Sequence, residues 1–374
     1  MSPANSLWPA RVLRQPDIVA KLSSADWDLL IRQARAGNVL ARISIVLNRA
    51  GLIDSVPAGP RAHLISAAAL GRQQQSSATY EIDAICRALA PTHVQPILLK
   101  GGAYLAGGLD AAAGRLFADI DILVPAAQLS DVEAALIRNG WNVTHRDAYD
   151  DRYYRKWMHE LPPMSHLRRG TAIDVHHTIL PPTAGRKLEA ATLISAAVPA
   201  KANHGVKLLA PVDMVLHSMT HLFYDGELDH GFRDLVDLDS LLRQFGTASA
   251  AFWHALLPRA QELDLTRPLY YGVRYVRAFM DTPIPPAVFD AVASFGPTGM
   301  ARAWMDALFL RALRPVHASC GDVFTPVARW LLYVRSHWLR MPLHLLVYHL
   351  TRKAFIRPEA PAEEELIADA DRKA

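Results

Sequence analysis

The sequence predicts an α+β fold in which a mixed β-sheet core is flanked by N-terminal and C-terminal helical regions. Apolar residues recur at helical spacing from about Ser24 to Leu89. Between about residues 95 and 180, short apolar runs typical of strands alternate with helical patterns. Beyond Pro211 the helical spacing returns and continues to about Lys353. This order places one sheet between two sets of helices.

The same patterns divide the chain into four parts. We predict a helical N-terminal region over residues 1–94 and a sheet-containing core over residues 95–205. A helical C-terminal region follows over residues 206–357, and residues 358–374 form an acidic, frayed tail.

The core begins with a strand, a turn and a helix. Ile97-Leu98-Leu99 predicts a short strand that runs into a Lys100-Gly101-Gly102 turn and a helix over Ala103 to Gly108. Asp119 to Val124 alternates carboxylates with apolar residues, which predicts a second strand.

Further elements follow from periodicity and punctuation. We predict a helix from about Ser130 to Arg138, and strands at Trp141 to Thr144 and at Thr171 to Thr178. Helices are expected over Val212 to Phe223 and over Phe232 to Phe245.

Composition limits the class of protein. Of 374 residues, 51% are hydrophobic and 20% are charged, which is ordinary for a folded globular chain. The formal net charge of +4 permits an anionic ligand, but the excess is small. Nucleic-acid binding is possible and not indicated.

Cysteine usage and hydropathy favour a cytoplasmic setting. Cys86 and Cys320 lie far apart without CxxC spacing, so neither a disulfide framework nor a thiolate zinc site is indicated. The N-terminus lacks the pattern of a secretory signal. The apolar stretch Trp330 to Leu350 contains Arg335 and Arg340, and we expect no transmembrane segment.

Three carboxylates on strands predict a metal site. Side chains alternate along a strand, so Asp119 and Asp121 project to the same face. Asp174 lies on another apolar strand, and neighbouring strands would bring all three together. Carboxylate oxygens suit Mg²⁺, or Mn²⁺, bound with the oxygens of a triphosphate. We predict that all three residues bind metal and take part in catalysis of phosphoryl or nucleotidyl transfer.

Residues around the first turn predict a phosphate site. Gly101 and Gly102 allow the backbone to approach a phosphate, and Lys100 and Arg115 add positive charge. His176 shares the face of Asp174, where it would contact a phosphate, orient the carboxylate or serve as a structural histidine. We predict nucleotide-binding roles for these five residues.

The order of these features resembles the polymerase-β-like nucleotidyltransferase superfamily. The segments LLKGGAYLAGGL, ADIDILV, IDVHHTIL, LHSMTHLFYD and FRDLVDLDSLL, with the His159-Glu160 pair, are together similar to a bacterial family of uncharacterised nucleotidyltransferases. The likeness covers roughly residues 90 to 245. One departure is the segment between Gly102 and Asp119, which is longer than is usual in the superfamily.

The resemblance implies an activity and a set of roles. Asp119 and Asp121 match the metal-binding pair, Asp174 the third carboxylate and Gly101-Gly102 the triphosphate-binding turn. Lys100 and Arg115 match basic positions. A nucleotidyltransferase-like core would use Mg²⁺ or Mn²⁺ to transfer a nucleoside monophosphate from an NTP, with ATP expected, and release pyrophosphate. The acceptor is an unidentified hydroxyl of a small molecule, a protein or an RNA.

Two other functions fit parts of the pattern. A glycosyltransferase that binds a nucleotide-sugar also uses a DxD strand, but it normally builds an α/β sheet ahead of that motif, where this chain reads as helical. A non-catalytic nucleotide-binding or regulatory protein could retain the same fold, although three carboxylates favour an enzyme.

Several residues keep alternative interpretations. Asp174 could balance Arg168 and Arg169 across a hairpin. His217 and His221 are four residues apart on a predicted helix, which is zinc-ligand spacing, but we favour packing or a hydrogen bond to the sheet domain because no third ligand is evident. His159-Glu160 is equally open.

The segment Val323 to Arg357 is basic and aromatic and contains no Asp or Glu. An anionic surface could dock on it. We favour an amphipathic helix pair packed on the core, with its Arg side chains in solvent.

Overall fold

The N-terminal region consists of helices. The computed structural model describes residues 7–144, 154–155, 157–185, 188–200, 205–224, 226 and 228–340. Four helices precede the sheet: α1 (Trp8–Arg14), α2 (Ser24–Ala36), α3 (Leu40–Arg49) and α4 (Ala58–Leu89). Helix α2 starts with a capping box, in which the Ser23 hydroxyl accepts from the Asp26 amide and the Asp26 carboxylate accepts from the Ser23 amide. The predicted helical spacing is confirmed.

Within the described residues, seven short strands form one mixed sheet. They are β1 (Ile97–Leu98), β2 (Asp119–Leu123), β3 (Trp141–Val143), β4 (Met164–His166), β5 (Ala172–His176), β6 (Val198–Pro199) and β7 (Lys207–Leu208). Their order across the sheet is β3-β4-β5-β2-β1-β7-β6. Strand β2 runs parallel to β5 and antiparallel to β1, so the two carboxylate-bearing strands are neighbours in the middle of the sheet.

Further helices lie between the strands and form the C-terminal region. They are α5 (Lys100–Ala106), α6 (Leu129–Arg138), α7 (Ala190–Ala196), α8 (Pro211–Tyr224), α9 (Gly231–Ala248), α10 (Ala250–Glu262), α11 (Thr266–Met280), α12 (Pro286–Ala293), α13 (Gly299–Ala312) and α14 (Thr325–Arg340). Together with the sheet they confirm the predicted α+β fold class, with helical regions on both sides of a mixed sheet.

One hydrophobic core runs through the described chain and joins the sheet to the C-terminal helices. Helix α8 is almost wholly buried, and Phe223 at its end packs against the rings of Tyr271, Tyr275 and Phe309. The Tyr104 hydroxyl of α5 lies 2.7 Å from the Ser218 hydroxyl of α8. Elements next to the carboxylate strands are therefore fixed by the C-terminal helices. Within the described residues, no helix has both the length and the apolar content to cross a membrane.

The structure differs from the sequence-based expectations in the core. The predicted turn at Lys100 is the first turn of α5, and Lys100 itself has a φ of 44°, in the left-handed region. Strand β4 lies in a segment whose Tyr, Arg and Pro content predicted irregular structure, because its pairing with β3 and β5 decides its conformation. Strands β6 and β7 have two residues each, too few for periodicity.

Helix α14 belongs to the basic, aromatic segment, and one of its arginines is not directed to solvent. The Arg335 guanidinium lies 5.3 Å from the centre of the Tyr271 ring and donates to the Phe223 carbonyl at 3.1 Å. Trp330 and Trp338 are 62% and 64% exposed. The expectation that these arginines point to solvent is wrong for Arg335, which uses its polar head to satisfy a helix-end carbonyl. Residues 341–374, with the rest of that segment and the predicted tail, lie outside the described residues.

Candidate active site

The pairing register of two parallel strands assembles the carboxylates. In the pairing of β2 with β5, Asp121 lies opposite Asp174. Asp119, two residues earlier on β2, lies opposite Ala172. Because side chains alternate along each strand, all three carboxylates lie on one face of the sheet. One oxygen from each lies within 4.8 Å of the others. The structure therefore brings together the three residues that the sequence predicts as metal ligands.

Two of these carboxylates have raised pKa values. The neighbouring Asp121 charge, with burial, raises the pKa of Asp119. Burial together with the charges of Asp121, Glu160 and Asp119 raises the pKa of Asp174 from 3.8 to about 7. Three hard oxygen donors that repel one another fit a divalent cation, which would remove that repulsion. The donor set suits Mg²⁺ or Mn²⁺.

Lys100 and His176 hold the central carboxylate ionised. Burial opposes the charge of Asp121, but Lys100 and His176 outweigh it and hold the pKa of Asp121 well below its usual value. The Lys100 Nζ lies 2.8 Å and the His176 Nε2 3.1 Å from the same oxygen, Asp121 Oδ1. The left-handed φ of Lys100 places its side chain over β2 while the Leu99 amide donates to the Asp121 carbonyl at 3.0 Å. Lys100 and His176 therefore lie against the predicted metal ligands.

The two glycines at the start of α5 have different surroundings. A Cβ added to Gly101 would lie 2.7 Å from Arg115 Nε and 3.1 Å from the Phe117 ring. At Gly102 the nearest atoms would be Leu98 Cδ2 at 3.6 Å and Ile120 Cγ2 at 3.8 Å, which are ordinary contacts. Gly101 is required by close packing against Arg115, whereas Gly102 has room for a methyl group.

This difference gives a matched pair of substitutions. We expect Gly101→Ala to lower the free energy of unfolding by about 1–3 kcal/mol, because the methyl group would overpack against Arg115 and Phe117. Gly102→Ala should be neutral or stabilise by up to about 1 kcal/mol, because alanine favours the helix. Urea unfolding of both variants and the wild type measures this. Equal losses in the two variants would contradict the packing argument.

Arg115 forms a buried ion network behind Gly101. Its Nη1 bonds to Asp237 Oδ2 and lies 3.7 Å from Asp234 Oδ1, both on α9. Arg42 of α3 reaches the other oxygen of Asp237 at 3.0 Å. The structure therefore places Arg115 in a link between α9 and the start of α5, and its predicted contact with a nucleotide remains a prediction.

Asp234 and Asp237 are not among the residues predicted for the site, although both lie in the segment FRDLVDLDSLL. They are three residues apart in an otherwise apolar helical pattern, and both face the interior. A carboxylate on the apolar side of a predicted helix indicates a buried basic partner.

A group of histidines lies beside the carboxylates. The His176 Nε2 is 3.4 Å and the His159 Nε2 3.9 Å from Glu160 Oε2. Burial opposes the charge of His176, but Asp121 and Glu160 raise its pKa. Burial, with the charges of His176 and Lys100, holds the pKa of His159 well below its usual value. The His159-Glu160 pair therefore belongs to the surroundings of the site.

Helix α8 adds two more histidines to this side. Burial, and then the charges of Lys100 and His221, hold the pKa of His217 well below its usual value. Its Nδ1 is buried and has no hydrogen-bond partner within the described part of the chain. His217 is within electrostatic range of Lys100, and His221 is within range of His217 and His159, so α8 contributes both histidines to the surroundings of the site. The expectation that they pack or hydrogen-bond to the sheet domain stays a prediction.

Asp174 has an alternative predicted role, in which it balances Arg168 and Arg169 across a hairpin. Arg169 donates to both oxygens of Glu81 on α4, at 2.5 and 2.9 Å. Its Nη1 also contacts His166. A pairing of Arg169 with Asp174 is therefore wrong. His177 contacts the Met158 carbonyl at 3.3 Å, on the other side of β5 from His176, as strand alternation predicts.

Comparison with known proteins gives one match. The model of a family described as uncharacterised nucleotidyltransferase matches residues 23–281. That range contains the carboxylate strands, the start of α5 and the α9 ion network. No curated protein and no solved structure matches the chain.

Proposed function

The chain belongs to the uncharacterised nucleotidyltransferase family, and from that premise we propose that it transfers a nucleoside monophosphate from an NTP to an acceptor hydroxyl. The observation that carries the proposal is the set of three carboxylates on the paired strands β2 and β5, within 4.8 Å of one another. Lys100 adjoins the same set at 2.8 Å from Asp121. This combination of anionic ligands and a lysine suits a metal-triphosphate substrate.

Asp119, Asp121 and Asp174 would hold the divalent cation, Mg²⁺ or Mn²⁺. When bound, the cation would neutralise charge on the phosphate oxygens and on the leaving pyrophosphate. Burial and the repulsion between the carboxylates raise the pKa values of Asp119 and Asp174, and this supports the assignment because a cation would relieve the repulsion.

The protein groups would position the substrate and move one proton. Lys100 and the amides of Gly101 and Gly102 would contact the triphosphate, with His176 holding Asp121 in place. The acceptor oxygen would attack the α-phosphorus, and the bond from that phosphorus to the bridging oxygen would break to release pyrophosphate. Asp174 would take the hydroxyl proton.

We propose ATP as the nucleotide. We propose the cytoplasm as the setting, because Cys86 and Cys320 are unpaired thiols. The glycosyltransferase alternative has less support, because the described residues ahead of β1 form helices and contain no strand. The acceptor would be a small molecule, a protein or an RNA that carries a hydroxyl group.

The test uses two differently labelled nucleotides. Purified protein, Mg²⁺ or Mn²⁺ and a cell extract are incubated with α-³²P-ATP or γ-³²P-ATP, with the other three α-labelled NTPs in parallel. We expect label in an acceptor from the α-position and not from the γ-position. Incorporation from the γ-position would identify a kinase instead. Binding of nucleotide without any incorporation would support a non-catalytic role, and binding of UDP-sugars alone would support a glycosyltransferase.

The raised pKa of Asp174 predicts a pH-dependent stability. In the folded, metal-free protein Asp174 keeps its proton up to a pH of about 7, whereas the unfolded chain releases it near 3.8. The free energy of unfolding should therefore fall as the pH rises from about 4 to about 7. We expect Asp174→Asn to be roughly 2–4 kcal/mol more stable than the wild type at pH 8 in EDTA.

Urea unfolding at several pH values measures that difference. The advantage of Asp174→Asn should disappear near pH 4, and excess Mg²⁺ at pH 8 should stabilise the wild type more than the variant. A variant that is less stable than the wild type at pH 8 in EDTA would show that Asp174 is not in a repulsive site.

A further inference from the structure

A second group of possible metal ligands adjoins the carboxylate centre. His159, Glu160 and His176 each offer one ligand atom within 4.8 Å of the other two. The two imidazole nitrogens lie 3.4 and 3.9 Å from Glu160 Oε2. These separations exceed the usual range of about 2.7–3.2 Å for N–H···O hydrogen bonds. Ligands of a tetrahedral ion, each about 2.1 Å from it, lie about 3.4 Å apart.

The backbone holds the three residues in this arrangement. Glu160 forms an antiparallel bridge with His176. The Leu161 amide donates to the Val175 carbonyl at 2.9 Å, and the His177 amide donates to the His159 carbonyl at 2.9 Å. The three residues come from two adjacent segments whose backbones are hydrogen-bonded to each other. A preorganised site of this kind binds more tightly than a flexible one.

Hydrogen bonds satisfy the two imidazoles of the cluster only in part. The Nδ1 atoms of His159 and His176 are buried and lack a partner within the described part of the chain. Two imidazoles and a carboxylate are a common donor set for catalytic Zn²⁺, in which a fourth position is left to water or substrate.

We propose that His159, Glu160 and His176 bind a transition-metal dication of the Zn²⁺ type, at a site separate from the Asp119, Asp121 and Asp174 carboxylates. Imidazole ligands select such ions, whereas the three carboxylates suit Mg²⁺. The two sites meet at His176, whose Nε2 also lies 3.1 Å from Asp121 Oδ1. Binding of the ion through this nitrogen releases its proton to solvent and removes the hydrogen bond to Asp121.

Zn²⁺ titration of the full chain tests the proposal without any nucleotide. After treatment with EDTA, the protein is titrated with ZnCl₂ in excess Mg²⁺ by calorimetry, and Co²⁺ is added separately to follow the visible absorption of a four-coordinate site. We expect one Zn²⁺ ion per chain. Glu160→Gln, which keeps the side-chain shape, and His159→Asn should each weaken this binding at least about 100-fold.

Two further variants control for other locations. His177→Asn removes the adjacent imidazole that contacts the Met158 carbonyl, and it should leave Zn²⁺ affinity unchanged. Asp119→Asn alters only the carboxylate centre and should also retain it. Zn²⁺ binding that survives Glu160→Gln, or that is lost in Asp119→Asn, would overturn the proposal, as would the absence of stoichiometric binding to the wild type. Thermal melting of each variant confirms folding. These outcomes are independent of nucleotidyl transfer.

Discussion

Asp121→Asn should reduce nucleotidyl transfer by at least about 1000-fold, because several kcal/mol of transition-state stabilisation depend on the metal ligands. Asp121 is the central carboxylate of the set, next to Asp174 in register and bound to Lys100. An amide at this position keeps the shape of the side chain and removes its charge. The initial rate of label transfer from an α-labelled NTP measures the loss.

Stability distinguishes this effect from misfolding. The substitution removes repulsion from Asp119 and Asp174 but also removes the charge that Lys100 and His176 stabilise, so we expect a lower free energy of unfolding and measure activity well below the melting temperature of the variant. Asp290→Asn, on the exposed end of α12, is the matched control and should keep full activity. Full metal-dependent transfer by Asp121→Asn to a confirmed acceptor would refute the proposed mechanism.

Asp237→Asn should lower the free energy of unfolding by about 3–5 kcal/mol, because it removes the carboxylate between two buried arginines. Arg42 lies 3.0 Å from Asp237 Oδ1 and Arg115 bonds to Oδ2, with all three side chains less than 10% exposed. An amide cannot balance two buried guanidinium charges, and Asp234, 3.7 Å from Arg115, compensates only in part. Urea or thermal unfolding measures the loss.

An exposed ion pair supplies the comparison. Asp110 pairs with Arg49 at 3.1 Å, and both side chains are more than half exposed. Asp110→Asn should cost less than about 1 kcal/mol, because water screens the charges. If Asp237→Asn cost no more than Asp110→Asn, the network would not hold α9 against the start of α5.

The sequence predicted the carboxylate centre because strand alternation is a local property. Asp119, Asp121 and Asp174 stand on strands whose apolar residues alternate with them, and the structure places the three on one face. Lys100 and His176 also lie at that centre, although their proposed nucleotide contacts await experiment. The fold class followed from the order of periodic segments, which depends on nothing beyond the spacing of apolar residues.

Features that depend on distant segments could not be predicted in the same way. Strand β4 forms because β3 and β5 supply partners, and its own residues show no clear alternation. The sequence around Arg115 does not identify its buried partner, Asp237, which lies 122 positions further along the chain. The position of α8 against the sheet, which brings His217 towards Lys100, is likewise a property of packing.

The Arg42–Asp237–Arg115 network has a consequence for how such a chain could be rearranged by recombination. Its three residues lie at positions 42, 115 and 237. Cuts at residues 94 and 205 would therefore leave Arg115 on the core segment and place Arg42 and Asp237 on the two other segments. The bond between Tyr104 and Ser218 would be severed by the same cuts. Exchange of the flanking helices between relatives would therefore require matched replacement of these partners. We expect chimaeras that keep the partners together to be more stable than those joined at the strand boundaries.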